Sequence, residues 1–192
     1  MEIRETLFTE KVTIRDPIGN LYRKNHVLIL VVNEKGNFLL GKKKDFYPSH
    51  IARMLGGAMN EGETPVCAAQ REIREELSLN LPVTSFKPLC TVTTQAETKE
   101  GYMEMRTQIF SINIPDFREL KPSDDVSDLQ TFTSAEYKRL VKSMEDLVGE
   151  YVSEKFSFLW SDWGKIYAPI HRHALEGYGA GLRGGSEDFS SQ

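Results

Sequence analysis

The sequence predicts an α/β fold with a mixed β-sheet covered by helices. Three observations carry that expectation. Val27 to Val32 is a β-branched and leucine run suited to a buried strand. Ser85 to Thr94 and Met103 to Ile114 read as two long strands joined by a turn at Glu97 to Gly101. Between these strands stands an amphipathic helix over Val66 to Leu79, and strands interleaved with helices favour a layered α/β architecture.

In chain order, Glu2 to Ile14 alternates loosely and reads as a first strand, followed by a turn at Asp16 to Asn20. Asn33 to Asn37 is a hairpin-like loop, and Phe38 to Lys42 is the returning strand. Lys42 to Asp45 is a charged loop continued by Pro48, and Ile51 to Leu55 is a short strand running into Gly56-Gly57. Thr64 is placed to cap the helix and Pro65 to open it, where a missing N–H leaves no helical bond unmade. Val66, Ala69, Ile73 and Leu77 form its core stripe. Ser134 to Leu147 reads as a second helix with Ser134 as cap. Phe156 to Leu175 is aromatic-rich and helical in part, interrupted by Pro169. Residues 1–176 are expected to form one domain, and 177–192 a Gly- and Ser-rich disordered tail.

Composition narrows the function classes. A net charge of -4 gives no dedicated nucleic-acid surface. The apolar run Val27 to Val32 is far short of the ~20 residues that span a bilayer, so no membrane partner is expected. Cys67 and Cys90 read as free thiols of a cytoplasmic protein.

The chemistry-bearing cluster lies on the first helix. Glu72, Glu75 and Glu76 fall on one arc about 100° wide beside the core stripe. Three like charges at that spacing repel one another. A hard divalent cation would turn the repulsion into a site, since Mg²⁺ prefers oxygen ligands and keeps waters that phosphates can replace. A solvated acidic face, laced by Arg71 and Glu75, is the competing explanation.

The residues leading into the helix decide between them. Gly57, five residues, Glu63, seven residues, Arg71-Glu72-Ile73, one residue, Glu75-Glu76, one residue, then Ser78-Leu79 resembles the Nudix box, with Ser78 in place of the last glycine. The resemblance covers 23 residues and extends to Gly56 and to the strand order around the box. It implies a Nudix-like α/β/α sandwich and a hydrolase cleaving the diphosphate linkage of a nucleoside diphosphate joined to another moiety. It further implies Mg²⁺ as cofactor, with Mn²⁺ as substitute, and a homodimer as a common assembly. Carried over, Glu72, Glu75 and Glu76 are the expected catalytic metal ligands, and the Gly56 carbonyl the fourth ligand. Glu63 and Arg71 are the expected braces between loop and helix. Glycine at the last box position supplies a left-handed backbone; here Ser78 or Asn80 must take that role. A base outside the box is open among Glu97, Glu100, Glu104, Asp124, Asp125 and Asp128.

Other residues were weighed against plainer roles. Lys42, Lys43, Lys44 and Arg53 are candidates to hold phosphates, Arg53 foremost for its place just before Gly56. His171 and His173 fall on opposite sides of a helix, which disfavours a shared metal. His26 reads as structural, Cys67 as a small buried residue, and Trp160, Trp163 and Tyr167 as packing aromatics. Gly19 to Val32 with Phe46-Tyr47-Pro48 faintly resembles isopentenyl-diphosphate isomerase relatives, which rely on a strand cysteine, histidines and a degenerate box. That isomerase-like reading and a non-catalytic nucleotide-binding module are the alternatives.

Overall fold

The computed structural model describes residues 6–15, 22–43, 48–123, 126–152 and 157–184, with side chains described only to residue 181. The expected turn at Asp16 to Asn20, residues 44–47 and residues 185–192 lie outside them. The strands are β1 (Thr6–Thr13), β2 (Asn25–Val32), β3 (Phe38–Lys43), β4 (Lys87–Thr98), β5 (Gly101–Asn113) and β6 (Val126–Phe132), with a short hairpin of β7 (Glu150–Val152) and β8 (Ser157–Leu159). The helices are α1 (Pro65–Leu77), α2 (Ser134–Glu145) and α3 (Trp160–Gly184).

Six strands form one mixed sheet in the order β1-β4-β5-β2-β3-β6. β1 is parallel to β4 and β2 to β5, while the remaining pairs are antiparallel. β2 shows why an unbroken apolar run is needed. Val27, Ile29 and Val31 enter the core beneath α1, and Leu28, Leu30 and Val32 enter the core beneath α2 and α3. A strand buried on both faces cannot alternate apolar with polar. The result is the expected α/β/α sandwich. No described helix is long and apolar enough to cross a membrane.

Local signals set α1 and α2. Thr64 caps α1 by accepting the Cys67 N–H at 3.4 Å, and Pro65 begins the helix. Ala68, Ala69, Ile73 and Leu77 are buried against the sheet. α2 is capped by Thr133, one residue before the expected Ser134, through a reciprocal capping box with Glu136. β6, a polar edge strand, had no clear signal in the sequence.

The C-terminal half differs from expectation. α3 runs unbroken through Pro169 and on to Gly184, past the expected end of ordered structure at residue 176. Proline inside a helix costs about 3 kcal/mol. Burial of Trp163, Ile166, Tyr167, Ile170, His171 and Ala174 outweighs it. Farther along, Tyr178 packs edge-on to Phe38 at 5.6 Å, which gives the glycine-rich turns an anchor. Trp160, Trp163 and Tyr167 are buried packing residues, as expected. His171 faces the Tyr137 hydroxyl at 2.6 Å, while His173 turns the other way to Glu10 and stacks on Phe8.

The segment 51–58 is no continuous strand. β2 and β3 pair directly only at Val31–Leu39 and Val32–Phe38, then diverge. The segment wedges between them through single bridges at Arg53–Gly41, Leu55–Ile29 and Ala58–His26. Gly41 makes room: a Cβ there would lie 2.6 Å from Leu55 Cδ2.

Ile73 is fully buried in the α1 core. Ile73→Ala is expected to lower unfolding free energy by about 2–5 kcal/mol in a denaturant titration. An unchanged midpoint would mean that this face of α1 does not carry the packing.

Candidate functional site

The site is built where the wedge meets α1. Gly56 has φ 123°, and a Cβ on it would lie 2.3 Å from the Val27 carbonyl oxygen, so only glycine fits. A Cβ on Gly57 would lie 2.7 Å from Glu72 Oε1, so the second glycine opens the space that the Glu72 carboxylate uses. At the other end of the helix, Ser78 adopts φ 55° and ψ 27°. It takes the left-handed position itself, so the substitution at the end of the box leaves the helix stop intact.

Of the three carboxylates, Glu72 and Glu76 are buried at 9% and 4% exposure, which rules out a merely solvated acidic face. Glu76 Oε2 accepts the Gly56 N–H at 2.7 Å, tying the helix to the glycine turn. Glu75 is the more open, with its side chain 41% exposed.

Arg71 binds the parts together. Its Nε and Nη2 donate to the two oxygens of Glu63, each at 3.0 Å. Nη2 also donates to the Ala58 carbonyl at 2.9 Å. Nη1 donates to Glu72 Oε1 at 2.7 Å and to Glu75 Oε2 at 3.0 Å. Glu63 in turn accepts the Asn60 N–H at 3.0 Å. The Arg71 hydrogen bonds hold the Glu63 carboxyl below its ordinary value. Burial pushes Glu72 the other way, above its ordinary value, against the pull of Arg71.

Arg53 Nη2 donates to the Gly56 carbonyl at 3.0 Å. The residue expected to hold phosphate therefore touches the carbonyl expected to hold metal. Lys42 Nζ is engaged by the Ser49 carbonyl. As the side chains stand, no three acidic, imidazole or thiol groups among the described residues converge on one point. Arg71 draws Glu72 and Glu75 to itself, and Glu76 turns to Gly56.

The candidate bases outside the box fall in two places. Glu97, Glu100 and Glu104 are exposed at the β4–β5 hairpin, where Glu104 accepts from Tyr102 Oη at 3.0 Å. Asp128 sits on β6 across from Lys42 and accepts from Gln130 at 3.1 Å. Asp124 and Asp125 lie outside the described residues. Cys67 is exposed rather than buried, because its position in the first turn of α1 points away from the sheet, and Cys90 is buried; neither forms a disulfide. His26 is buried beside Arg53 and Arg23, and desolvation with those charges lowers its pKa to about 3. It is therefore neutral and structural. The Arg53–Gly56 contact is the element sequence reasoning missed, since it depends on how the wedge folds back.

The NUDIX-domain profile matches residues 22–150, and the chain belongs to the Nudix family. A Nudix hydrolase of Deinococcus radiodurans is 30% identical over 107 residues, covering 51% of this chain and 63% of that protein. The match thus spans less than two thirds of that relative. Among solved structures, a C. elegans Ap4A hydrolase binary complex aligns with TM-score 0.50 and 20% identity, over 83% of this chain and 98% of the other. The E. coli dihydroneopterin triphosphate pyrophosphohydrolase aligns with TM-score 0.49 and 16% identity, over 62% and 85%. The likeness to the C. elegans structure concerns the fold alone.

Arg71→Ala would leave Glu63, Glu72 and Glu75 without their shared donor. Stability at pH 7 is expected to drop by about 2–4 kcal/mol. Glu63 has a depressed folded pKa, so its contribution is present above its ordinary 4.5 and is lost as pH falls through the folded value. The gap between wild type and variant should therefore narrow below about pH 4.5 in chemical denaturation across pH. A gap constant from pH 7 to pH 3 would count against the Glu63–Arg71 pair as its source.

Proposed function

We propose that the protein is a divalent-metal-dependent pyrophosphohydrolase that cleaves the diphosphate linkage of a nucleoside diphosphate joined to another group. The observation that carries this reading is the burial of Glu72 and Glu76 against the Gly56-Gly57 turn, with Arg71 bridging Glu63, Glu72 and Glu75.

The donor set fits a hard cation. Every available ligand is oxygen, and the missing Cβ of Gly57 leaves the Glu72 carboxylate an unobstructed approach. Glu72, Glu75, Glu76 and the Gly56 carbonyl are the residues that would hold Mg²⁺, or Mn²⁺ in its place. When bound there, such a cation would supply charge neutralisation on the diphosphate and a lowered pKa for a nearby water.

The protein's own groups do the rest. Glu76 fixes the glycine turn through the Gly56 N–H, so helix and turn present their oxygens together. Glu72, whose proton affinity is raised by burial, is suited to orient the water and accept its proton. Arg71 keeps the carboxylates from repelling one another and holds the loop at Ala58. Arg53, which donates to the Gly56 carbonyl, is placed to meet a phosphate oxygen at the turn.

The isomerase-like alternative asks for a usable strand cysteine and histidines. Cys90 on β4 is fully buried with Sγ against the His173 carbonyl, and His26 and His171 are buried with pKa values lowered to about 3. The chemistry favours hydrolysis. A pure binding module has no use for two buried carboxylates on an arginine clamp.

Glu76→Gln keeps an oxygen for the Gly56 N–H but removes a charge. Melting temperature should stay near wild type, while Mg²⁺-dependent release of phosphate products from nucleoside diphosphate derivatives falls by about 100-fold or more. Turnover equal to wild type at limiting Mg²⁺ would remove Glu76 from the metal set.

A further inference from the structure

On the side of the sheet away from α1, an open cavity of about 660 Å³ lies between α2, α3 and the turn that joins β2 to β3. Phe38 and Val141 close its floor, and Leu175 and Tyr178 form one wall. Phe38 belongs to the core beneath α2 and α3, so the cavity stands across the sheet from the box. It also stands at the other end of β2. The glycine turn is tied to the start of that strand at Val27, and Phe38 pairs with its last residue, Val32. Five steps along the strand, about 17 Å, separate the two. The volume lies within the ~300–1,000 Å³ of pockets that hold whole small ligands.

Both helices turn one continuous stripe to the cavity. From α2 come Ser134, Lys138, Val141, Lys142 and Glu145, and from α3 come Arg172, Leu175, Glu176 and Gly179, each set at helical spacing. The charges on these stripes do not cancel. Glu145 accepts from Arg172 at 2.8 Å with one oxygen and from Lys142 at 3.2 Å with the other. Glu176 is joined to His173 Nδ1 at 3.0 Å. Lys138 is left over. Its ammonium makes no ion pair or hydrogen bond among the described residues, and neither do the hydroxyls of Ser134 and Tyr178. Gly179 adds a second sign. Glycine weakens a helix interior relative to alanine, yet a Cβ at Gly179 would meet nothing within 4 Å. No neighbour among the described residues requires glycine there, and its effect is to hold the cavity wall back.

We propose that this cavity binds a small aromatic carboxylate, with its ring against Leu175 and Tyr178 and its anion at Lys138. Three donors without an acceptor, one of them cationic, call for an anion with more than one oxygen. Three cations and two acids line the cavity, and the one positive charge left after pairing matches a single carboxylate. The half-buried Tyr178 ring and the aliphatic stems of Lys138 and Lys142 offer apolar surface to a flat body. Distance and the intervening sheet separate this site from the box, so the assignment stands apart from the hydrolase reading.

The test is titration calorimetry of 2-naphthoate and of its neutral isostere 2-naphthamide against the whole chain. Wild type should bind naphthoate about 5-fold more tightly than the amide. Lys138→Gln should bring the two affinities together by weakening naphthoate alone. Gly179→Leu should abolish binding of both while the melting temperature holds or rises, since the new side chain enters open space and a helical glycine is removed. Gly179→Met replaces it if the leucine variant melts early. Equal affinities for acid and amide in wild type, naphthoate binding retained in Gly179→Leu, or no binding would each overturn the proposal. So would a wild-type dimer in sedimentation that Gly179→Leu dissociates, because a second copy would then be the occupant. Loss of naphthoate binding in Arg53→Gln but not in Lys138→Gln would place the anion at the box and overturn it as well.

Discussion

Arg71 makes five hydrogen bonds from one guanidinium, to Glu63 twice, to Glu72, to Glu75 and to the Ala58 carbonyl. Buried carboxylates on adjacent turns of a helix repel, and each pays a desolvation penalty that an isolated helix would refuse. A single planar cation with a fixed fork answers several of them at once, in a geometry a lysine could not reproduce. The loop is answered too, since Glu63 and Ala58 belong to the segment that enters α1. Loop, helix and carboxylates thus share one fastening. The opposite displacements of Glu63 and Glu72 follow from it: two hydrogen bonds from the arginine outweigh desolvation at Glu63, and desolvation outweighs the single one at Glu72.

The fastening works only because the sheet offers a gap to hang it in. β2 and β3 separate after two residue pairs, and the wedge at 51–58 takes up the freed hydrogen bonds on both sides. Arg53 and Gly41 exchange backbone bonds at 3.0 and 2.9 Å, so the wedge is held like a short strand without being one. Its two glycines then approach β2 at Gly56 and Glu72 of α1 at Gly57, at distances no side chain would allow. Geometry at the turn is therefore inherited from the most deeply buried part of the sheet, a rigid support for groups that must keep their positions.

How much of this was legible in the sequence depends on the range of the cause. α1 was legible because Thr64, Pro65 and the Ala69–Ile73–Leu77 stripe act within a few residues, and the box because its fixed positions lie within one loop and helix. Which residue takes the left-handed turn was open between Ser78 and Asn80, since both tolerate it; the structure gives it to Ser78. The wedge read as a strand because its composition is strand-like, while its isolated bridges depend on the divergence of β2 and β3. β6 is a polar edge strand whose pairing with β3 supplies the order its own residues do not.

α3 shows the same contest with the opposite outcome. Pro169 and the glycines from Gly177 are local arguments for a break, and they fail because the helix is the lid of the second core. Trp163, Tyr167, Ile170 and Ala174 lie along one side of it, each almost wholly buried. Aromatic and aliphatic burial at about 1.5–3 kcal/mol per large side chain exceeds one missing hydrogen bond several times over. Covering that face also excludes water from His26 and His171, and their neutrality keeps further positive charge away from Arg53. The helix therefore does more than close the sandwich. By holding the two imidazoles uncharged beneath the wedge, it leaves Arg53 without added cationic repulsion beside the Gly56 carbonyl, where the glycine turn and the carboxylates of α1 meet.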